Sequence, residues 1–129
     1  MADADVRDGN LYNKDHEWLS ADGAERRVGI TSYAVEQLGD ITMVDLKVKV
    51  GDRVKVGDGF GVVESVKSVS DLFAPINGTI AAINGDLNDQ PELVNTDPYG
   101  KAWMVAITPD GAVEGLLDAD AYRAFLKTV

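Results

Sequence analysis

Between residues 28 and 107 the chain alternates short runs of β-branched residues with Gly-Asp and Asn-Gly pairs. Val50-Gly51-Asp52 recurs as Val56-Gly57-Asp58, and Asn84-Gly85-Asp86 is a third triplet of this kind. Because glycine adopts positive φ at little cost, these triplets predict tight reversals between strands of only a few residues. Short strands separated by regular turn signals are typical of a compact, mainly β sandwich or barrel.

In one of these segments, residues 42–50, mostly apolar even-numbered positions alternate with mostly charged odd-numbered positions. Such a period of two predicts a strand with one buried face. The side chains expected to face inward are those at the even-numbered positions, namely Thr42, Val44, Leu46, Val48 and Val50.

A short helix is predicted ahead of that strand. Thr31 or Ser32 can cap its N-terminus, because both hydroxyls can accept from the free N–H groups of a first helical turn. The helix would run to Leu38, and Gly39 is a natural stop.

The end of the chain is predicted to form a second helix. Asp118 can cap it, and Lys127 would lie at its negative end. The apolar residues at helical spacing are Ala121, Tyr122, Phe125 and Leu126. We therefore expect a single domain over residues 1–129, with a β core at about 11–107 and a C-terminal helical segment at about 112–127 that packs on the sheet.

Composition excludes several classes of function. Twelve basic and twenty-two acidic residues give a net charge of −10, which is the wrong sign for a nucleic-acid-binding surface. The absence of cysteine and the single histidine leave no basis for disulfides or a zinc site. No membrane span or signal peptide is recognisable. We expect a soluble monomer, located in a bacterial cytoplasm, or in the mitochondrial matrix if it is a processed organellar form.

The segment from Phe60 to Phe73 carries the most informative residue. It has fourteen residues of strand-forming character, longer than the usual 3–10 residues of a strand, so it should fold back on itself. Its only cation, Lys67, lies near the middle among serines and acids. This pattern predicts a hairpin with Lys67 at its tip, and β-branched Val66 favours a type I turn over the primed types.

A lysine at a rigid hairpin tip suits the attachment of a group through an amide bond. The backbone is fixed there, while the long side chain reaches into solvent. Acylation would remove the charge of the amine, and that reaction would need a separate ligase. The alternative is that Lys67 is an ordinary solvated lysine.

The segment Val63–Asp71 closely resembles the lipoylation segment of the glycine cleavage H-protein family. Gly51 and Gly78 lie sixteen residues before and eleven residues after Lys67, which matches the paired half-motifs of that family. Residues 74–78 resemble its Ser-Pro-x-x-Gly return strand. Other matching segments are Asp15-His16-Glu17-Trp18, Gly29-Ile30-Thr31, Leu38-Gly39-Asp40-Ile41, Leu93-Val94-Asn95, Asp97-Pro98-Tyr99-Gly100 and Trp103-Met104.

This resemblance covers residues from about Leu11 to Leu126. The chain departs from the family pattern at Lys47, where a proline is common, and one extra residue precedes Gly51. The resemblance therefore does not imply the geometry of that loop.

The resemblance implies a barrel-sandwich hybrid in which two pseudo-symmetric halves meet at the lipoyl hairpin, with small peripheral helices and a C-terminal helix. It also implies a carrier and not an enzyme. A lipoamide arm would receive an aminomethyl group from a pyridoxal-phosphate glycine decarboxylase and present it to a tetrahydrofolate-dependent aminomethyltransferase. Dihydrolipoamide dehydrogenase would then reoxidise the arm. In such carriers the cofactor performs the chemistry, while the protein orients and protects it.

By the same resemblance, lipoate would be attached covalently to Lys67. Glu64 and Gly78 match positions that the lipoate-attaching enzyme recognises. Glu17 and Asp71 match acids near the cleft into which the loaded arm folds, where they could pair with a cationic amine. The structural alternatives are a solvated acid for Glu64, a turn glycine for Gly78 and an ordinary strand residue for Glu17.

Other functions fit less well. A biotinyl carrier normally has its lysine between methionines, whereas Lys67 lies between Val66 and Ser68. A lipoyl domain of a 2-oxoacid dehydrogenase would usually precede a flexible linker and a catalytic domain. A related H-like protein that relays lipoyl groups remains an alternative. His16 lacks the second histidine of a zinc-protease helix and any cysteine nucleophile, so we interpret it as structural and predict no catalytic residue and no metal site.

Overall fold

The protein is represented by a computed structural model that describes residues 5–20 and 23–129, so the first four residues of the acidic N-terminal segment lie outside the described residues. Within the described chain the strands are β1 (Leu11–Tyr12), β2 (Glu17–Leu19), β3 (Arg26–Ile30), β4 (Ile41–Leu46), β5 (Arg53–Val54), β6 (Gly59–Ser65), β7 (Val69–Phe73), β8 (Gly78–Ile83) and β9 (Val105–Pro109). The helices are α1 (Ser32–Leu38), α2 (Asp86–Asp89), α3 (Leu93–Thr96) and α4 (Ala119–Leu126). The strands form a six-stranded antiparallel sheet in the order β1-β2-β3-β9-β8-β5 and a three-stranded antiparallel sheet in the order β4-β6-β7. This mainly β architecture with peripheral helices is the predicted one.

Both sheets contribute to one hydrophobic core. Phe60 from β6 and Ile107 from β9 are completely buried in it, and Leu72 from β7 is 1% exposed. Burial of each such side chain stabilises the fold by about 1.5–3 kcal/mol. The core thereby holds the start of β6 and the end of β7 against the larger sheet. The opposite end of this strand pair, where the chain turns from β6 to β7, is called its outer end.

The two Lys-Val-Gly-Asp turns, at residues 49–52 and 55–58, have the same geometry. In each, the lysine N–H donates to the aspartate Oδ2 at 2.9 Å, and the aspartate N–H donates to the lysine carbonyl oxygen. Gly51 and Gly57 have φ of +97° and +89°. Positive φ at the third turn position is the type II requirement that glycine meets. The sequence repeat is therefore a repeat of local structure.

The prediction of a third turn with positive φ, at Asn84-Gly85-Asp86, is wrong. Gly85 has φ of −66° and precedes α2. The buried amide of Asn84 donates to the carbonyl oxygens of Lys101 and Trp103, so tertiary hydrogen bonds and not a hairpin turn fix this segment.

The predicted alternation from residue 42 to residue 50 is also wrong at both ends. A β-bulge between Ile41 and Met43 shifts the pairing with β6, so Thr42 is exposed. Strand β4 ends at Leu46, and Val50, in the first Lys-Val-Gly-Asp turn, is 65% exposed. The middle of the segment follows the prediction. The loop beyond β4 is held by the N–H of Lys47, which donates to the carbonyl oxygen of Phe60; a proline could not make this bond.

Helix α1 begins and ends as predicted. The Oγ1 of Thr31 accepts from the N–H of Ala34 at 3.3 Å, and Gly39 ends the helix with φ of +82°. This places the C-terminal end of α1 and the start of β4 beside the outer end of the β6–β7 pair, as described below.

Helix α4 also begins as predicted, with the Asp118 carboxylate accepting from the N–H of Ala121 at 2.8 Å. Its Tyr122 is completely buried and stacks on Tyr12 with ring centroids 4.5 Å apart, so α4 packs on β1 and β2 in a small core of its own. Among the described helices, none has the length and apolar character that crossing a membrane would require.

Candidate functional site: the β6–β7 hairpin

Lys67 lies at the tip of the hairpin formed by β6 and β7. Glu64 pairs with Val69, and the N–H of Ser65 donates to the carbonyl oxygen of Ser68 at 2.8 Å. Lys67 is exposed and follows the last residue of β6 by two positions. The predicted hairpin and the position of its tip are confirmed.

The turn is closed by a side chain. The Oγ of Ser65 accepts from the N–H of Lys67 at 3.2 Å and from the N–H of Ser68 at 3.1 Å. Among the described non-glycine residues only His16 has positive φ, so the turn is not of a primed type. Its assignment as type I stays a prediction. Sequence reasoning treated Ser65 only as part of a polar environment and missed its role in the turn.

The hairpin tip also contacts the loop between α1 and β4. The N–H of Val66 donates to the carbonyl oxygen of Asp40 at 3.0 Å. The Lys67 side chain lies over Gly39, because a Cβ built at Gly39 would be 3.3 Å from Lys67 Cε and 3.8 Å from Nζ. The backbone beside Lys67 is therefore held both by hydrogen bonds within the turn and by a hydrogen bond to the loop between α1 and β4.

The outer face of the β4-β6-β7 sheet mixes acidic and apolar side chains beside this tip. Val66 is 67% exposed and Val69 is 63% exposed. Paired rows across the three strands are Met43–Glu64–Val69 and Asp45–Val62–Asp71. A partner with apolar and basic groups could bind such a face.

Glu17 is 2% exposed, and its side chain crosses from one sheet to the other; its role beside a cleft stays a prediction. Its carboxylate accepts from Asn13 Nδ2 at 2.8 Å and from the N–H of Phe73 at 2.6 Å, which ties β2 to β7. Burial raises the pKa of Glu17 to about 7, although these two hydrogen bonds favour the ionised form. Asp71 is exposed on β7, and within the described residues no hydrogen bond joins the two acids. An amine could reach Glu17 only after local movement.

Gly78 lies at the start of β8, where it pairs with Val54 and Pro109, and not in a turn. A Cβ at this position would lie 2.3 Å from the carbonyl oxygen of Thr108. The close approach of β8 to β9 therefore requires glycine here. Recognition of Gly78 by another enzyme stays a prediction.

His16 lies in an aromatic cluster. Its Nδ1 is 2.8 Å from the hydroxyl of Tyr122, which is itself 2.8 Å from Thr31 Oγ1, the cap of α1. The His16 ring is also 4.5 Å from that of Tyr33, and burial lowers the pKa of His16. These contacts give His16 a structural role between α4 and α1.

Comparison with known proteins decides the family. The family model described as "Glycine cleavage H-protein" matches residues 10–129. The chain belongs to the glycine cleavage H-protein family. The glycine cleavage system H protein of Magnetococcus marinus is 52% identical over 119 residues, which cover 91% of this chain and 84% of the relative. That of Bacillus subtilis is 49% identical over 114 residues, covering 87% of this chain and 89% of the relative.

A solved H-protein structure confirms the fold. The crystal structure of a glycine cleavage system H protein from Mycobacterium marinum has a TM-score of 0.85 and 42% sequence identity, and the match covers 96% of this chain and 100% of that one. Family membership and the barrel-sandwich fold, both expected from the motifs, are thus confirmed. As an H protein, the chain is a carrier and not an enzyme.

Proposed function

We propose that this H protein carries a lipoyl group on Lys67 and moves an aminomethyl group between the enzymes of the glycine cleavage system. The observation that supports this most is the exposure of Lys67 at a hairpin tip whose two strands are anchored in the core. Among the described residues, no carboxylate lies within ion-pair distance of the Lys67 amine. The amine is therefore free for amide formation, and the site fits the group.

The bound lipoamide would supply a disulfide that opens to accept the aminomethyl group and a dithiol that can be reoxidised. The protein would contribute a fixed origin for a long flexible arm. Ser65 closes the turn and Asp40 holds the N–H of Val66, so the arm moves about its own bonds while the backbone stays in place. A fixed attachment point limits the number of arm conformations from which a partner enzyme must select the reactive one.

We propose four protein partners for this tip: glycine decarboxylase, the aminomethyltransferase, dihydrolipoamide dehydrogenase and the lipoate-attaching enzyme. The relatives named above are bacterial, which supports a cytoplasmic location. We expect the lipoate-attaching enzyme to recognise Glu64. This residue is half-buried beside Val69 on the outer sheet face. Gly78 would contribute mainly by keeping β8 close to β9.

Glu17 and Asp71 are proposed to pair with the cationic amine of the loaded arm. Glu17 bonds to Phe73 at the end of β7 that lies away from the tip, two residues along from Asp71, so an arm attached to Lys67 would have to fold back along β7 to reach both acids. A cation placed beside Glu17 would lower the pKa of its carboxyl group, because it stabilises the ionised form.

Replacement of the attachment residue tests this function. Lys67→Arg keeps the charge but cannot form the lipoyl amide, so we expect the variant to gain no lipoyl mass with lipoate, ATP and a competent lipoate ligase. It should also fail to support glycine-dependent carbon dioxide exchange with the decarboxylase. Intact mass with peptide mapping measures the first, and exchange of labelled carbon dioxide measures the second.

Lys47→Arg is the matched control, since Lys47 is also exposed and follows β4 of the same small sheet. It should be lipoylated as the wild type is. A lipoyl group mapped to any other lysine, or retained in Lys67→Arg, would refute the proposal.

A further inference from the structure

The loop of residues 39–41 between α1 and β4 is held by one side chain from a distant helix. Asn95, on α3, donates from Nδ2 to the carbonyl oxygen of Gly39 at 3.0 Å and accepts at Oδ1 from the N–H of Ile41 at 2.9 Å. One amide thereby satisfies a carbonyl and an N–H that flank Asp40. Aspartate would lack the donor and an aliphatic residue would lack both groups.

The same loop supports the hairpin tip. The carbonyl oxygen of Asp40, between the two groups that Asn95 holds, accepts from the N–H of Val66. The Lys67 side chain lies over Gly39, where any Cβ would meet the lysine stem. Asn95 makes no hydrogen bond to the hairpin itself, so its influence on Lys67 must pass through the loop.

We propose that Asn95 is a positioning residue for the lipoyl lysine. It fixes the loop of residues 39–41, which supports the hairpin tip and is called the seat. Gly39 leaves room on this seat for the lysine stem. The seat sets the direction in which the stem leaves the backbone, both for the attaching enzyme and for the lipoyl arm. The effect of Asn95 on the position of the tip follows from the contacts in the structure, whereas the effect of Asn95 on lipoylation rests on the proposed function of Lys67.

Amide hydrogen exchange tests the placement without any lipoylation. In Asn95→Ala and Asn95→Asp, we expect the N–H of Val66 to exchange about tenfold faster, since the acceptor at Asp40 is no longer held in place. The N–H of Ser65 should be unchanged, because its bond to Ser68 lies within the hairpin. Asn88→Ala is the control, since Asn88 is an exposed asparagine on α2.

Equal acceleration at Val66 and Ser65 would mean that Asn95 acts only on general stability, and no acceleration at Val66 would mean that it does not hold the seat. Either result overturns the inference. If Asn95→Ala does not fold, Asn95→Asp decides, because it keeps the acceptor for the N–H of Ile41.

Lipoylation kinetics test the direction of the stem. Gly39→Ala and Gly57→Ala both place alanine at positive φ, +82° and +89°, but Gly39 also has ψ of −151°, a conformation that essentially only glycine adopts, so its backbone cost is the larger. Only the first places a methyl group against Lys67, since nothing lies within 4 Å of a Cβ at Gly57. We expect Gly39→Ala and Asn95→Ala to raise the KM of the protein substrate for a lipoate ligase about fivefold, with kcat within about twofold of wild type. Asn95→Ala carries no such backbone cost, so the same effect in that variant is needed to assign the change to the seat.

Gly57→Ala should leave both constants near the wild-type values. Equal effects of Gly39→Ala and Gly57→Ala, or an unchanged KM in Asn95→Ala, would overturn the inference. Failure of the wild-type protein to accept lipoate would instead refute the proposed function, and the exchange of Val66 would still decide the placement.

Discussion

Glu17 shows how one buried carboxyl group links the stability of this protein to pH. It lies between two sheets and receives one side-chain and one backbone hydrogen bond. Those bonds stabilise the carboxylate, yet loss of hydration outweighs them and raises its pKa from 4.5 to about 7. The folded protein therefore holds a proton that the unfolded chain releases at lower pH.

We predict that stability falls as pH rises through this interval. Because the pKa is higher in the folded state, the stabilisation is fully present below about pH 4.5 and is lost towards pH 7, by a total on the order of 3 kcal/mol. Glu17→Gln cannot titrate, so this component should disappear from its unfolding free energy. Urea unfolding of both proteins at pH 5 and pH 8 measures the difference.

Asp71→Asn is the control for this experiment, since Asp71 is an exposed acid. Its unfolding free energy should stay within about 0.5 kcal/mol of wild type at each pH. The same pH dependence in Glu17→Gln as in wild type would show that another group is responsible.

At this scale the position of Lys67 at a hairpin tip could be predicted from the sequence, but the residues that hold the neighbouring loop and strand could not. Lys67 is recognisable because it is the lone cation in a long β segment and because its flanking motif is specific. Asn95 bonds to Ile41 over a separation of 54 residues, and Glu17 bonds to Phe73 over 56. Such side-chain to backbone bonds follow no local periodicity, so only the folded chain reveals them.

The turn of the β6–β7 hairpin is closed by a side chain as well as by the backbone. Ser65 Oγ accepts two successive N–H groups, from Lys67 and Ser68, which satisfies donors that a two-residue loop would otherwise leave to solvent. The tip is therefore ordered by a side chain that precedes it.

We predict that Ser65→Ala destabilises the protein by about 1 kcal/mol and increases exchange at the N–H groups of Lys67 and Ser68. The reason is that both donors lose their acceptor while the strands stay paired. Ser68→Ala is the matched control, because the side chain of Ser68 is exposed and accepts neither bond. Chemical denaturation and amide exchange of the two variants measure the effect, and equal losses would contradict this role of Ser65.

Element boundaries could be predicted where a local group defines them. Thr31, Gly39 and Asp118 each mark a helix end by short-range hydrogen bonding or φ, and each was predicted from sequence. The register of β4 could not be predicted, because the bulge after Ile41 arises from pairing with β6. The backbone conformation of Gly85 is likewise determined by the tertiary hydrogen bonds of Asn84 and not by the turn propensity of glycine.

The whole molecule has a net charge of −10, and as an H protein it interacts with enzymes of the glycine cleavage system. Acids beside the hairpin, such as Asp45 and Asp71, are exposed, so long-range attraction to basic partner surfaces should speed encounter. Charge of this kind affects association more than the fold.

We predict that the KM of glycine decarboxylase for the lipoylated protein rises several-fold between about 0.02 M and 0.3 M salt, because the Debye length falls below about 10 Å over this range. Steady-state kinetics measure the change. Free lipoamide is the control substrate and should show little dependence on salt. An equal dependence for both substrates would mean that salt acts on the enzyme and not on docking.

A compact, mainly β sandwich or barrel was predictable from the turn triplets and short β-branched runs, and the barrel-sandwich form of it from the resemblance to the family. Strand order was not predictable from those patterns: β3 pairs with β9, which is far away in sequence. The shared core selects that order, and it involves residues such as Val28 and Val105 that carry no motif of their own.

The outermost strands of the large sheet, β1 and β5, have only two residues each. Edges this short offer few free backbone groups to a neighbouring molecule. We therefore expect the large sheet not to extend into that of a neighbouring copy by edge-to-edge strand pairing, even where copies are crowded around their enzymes.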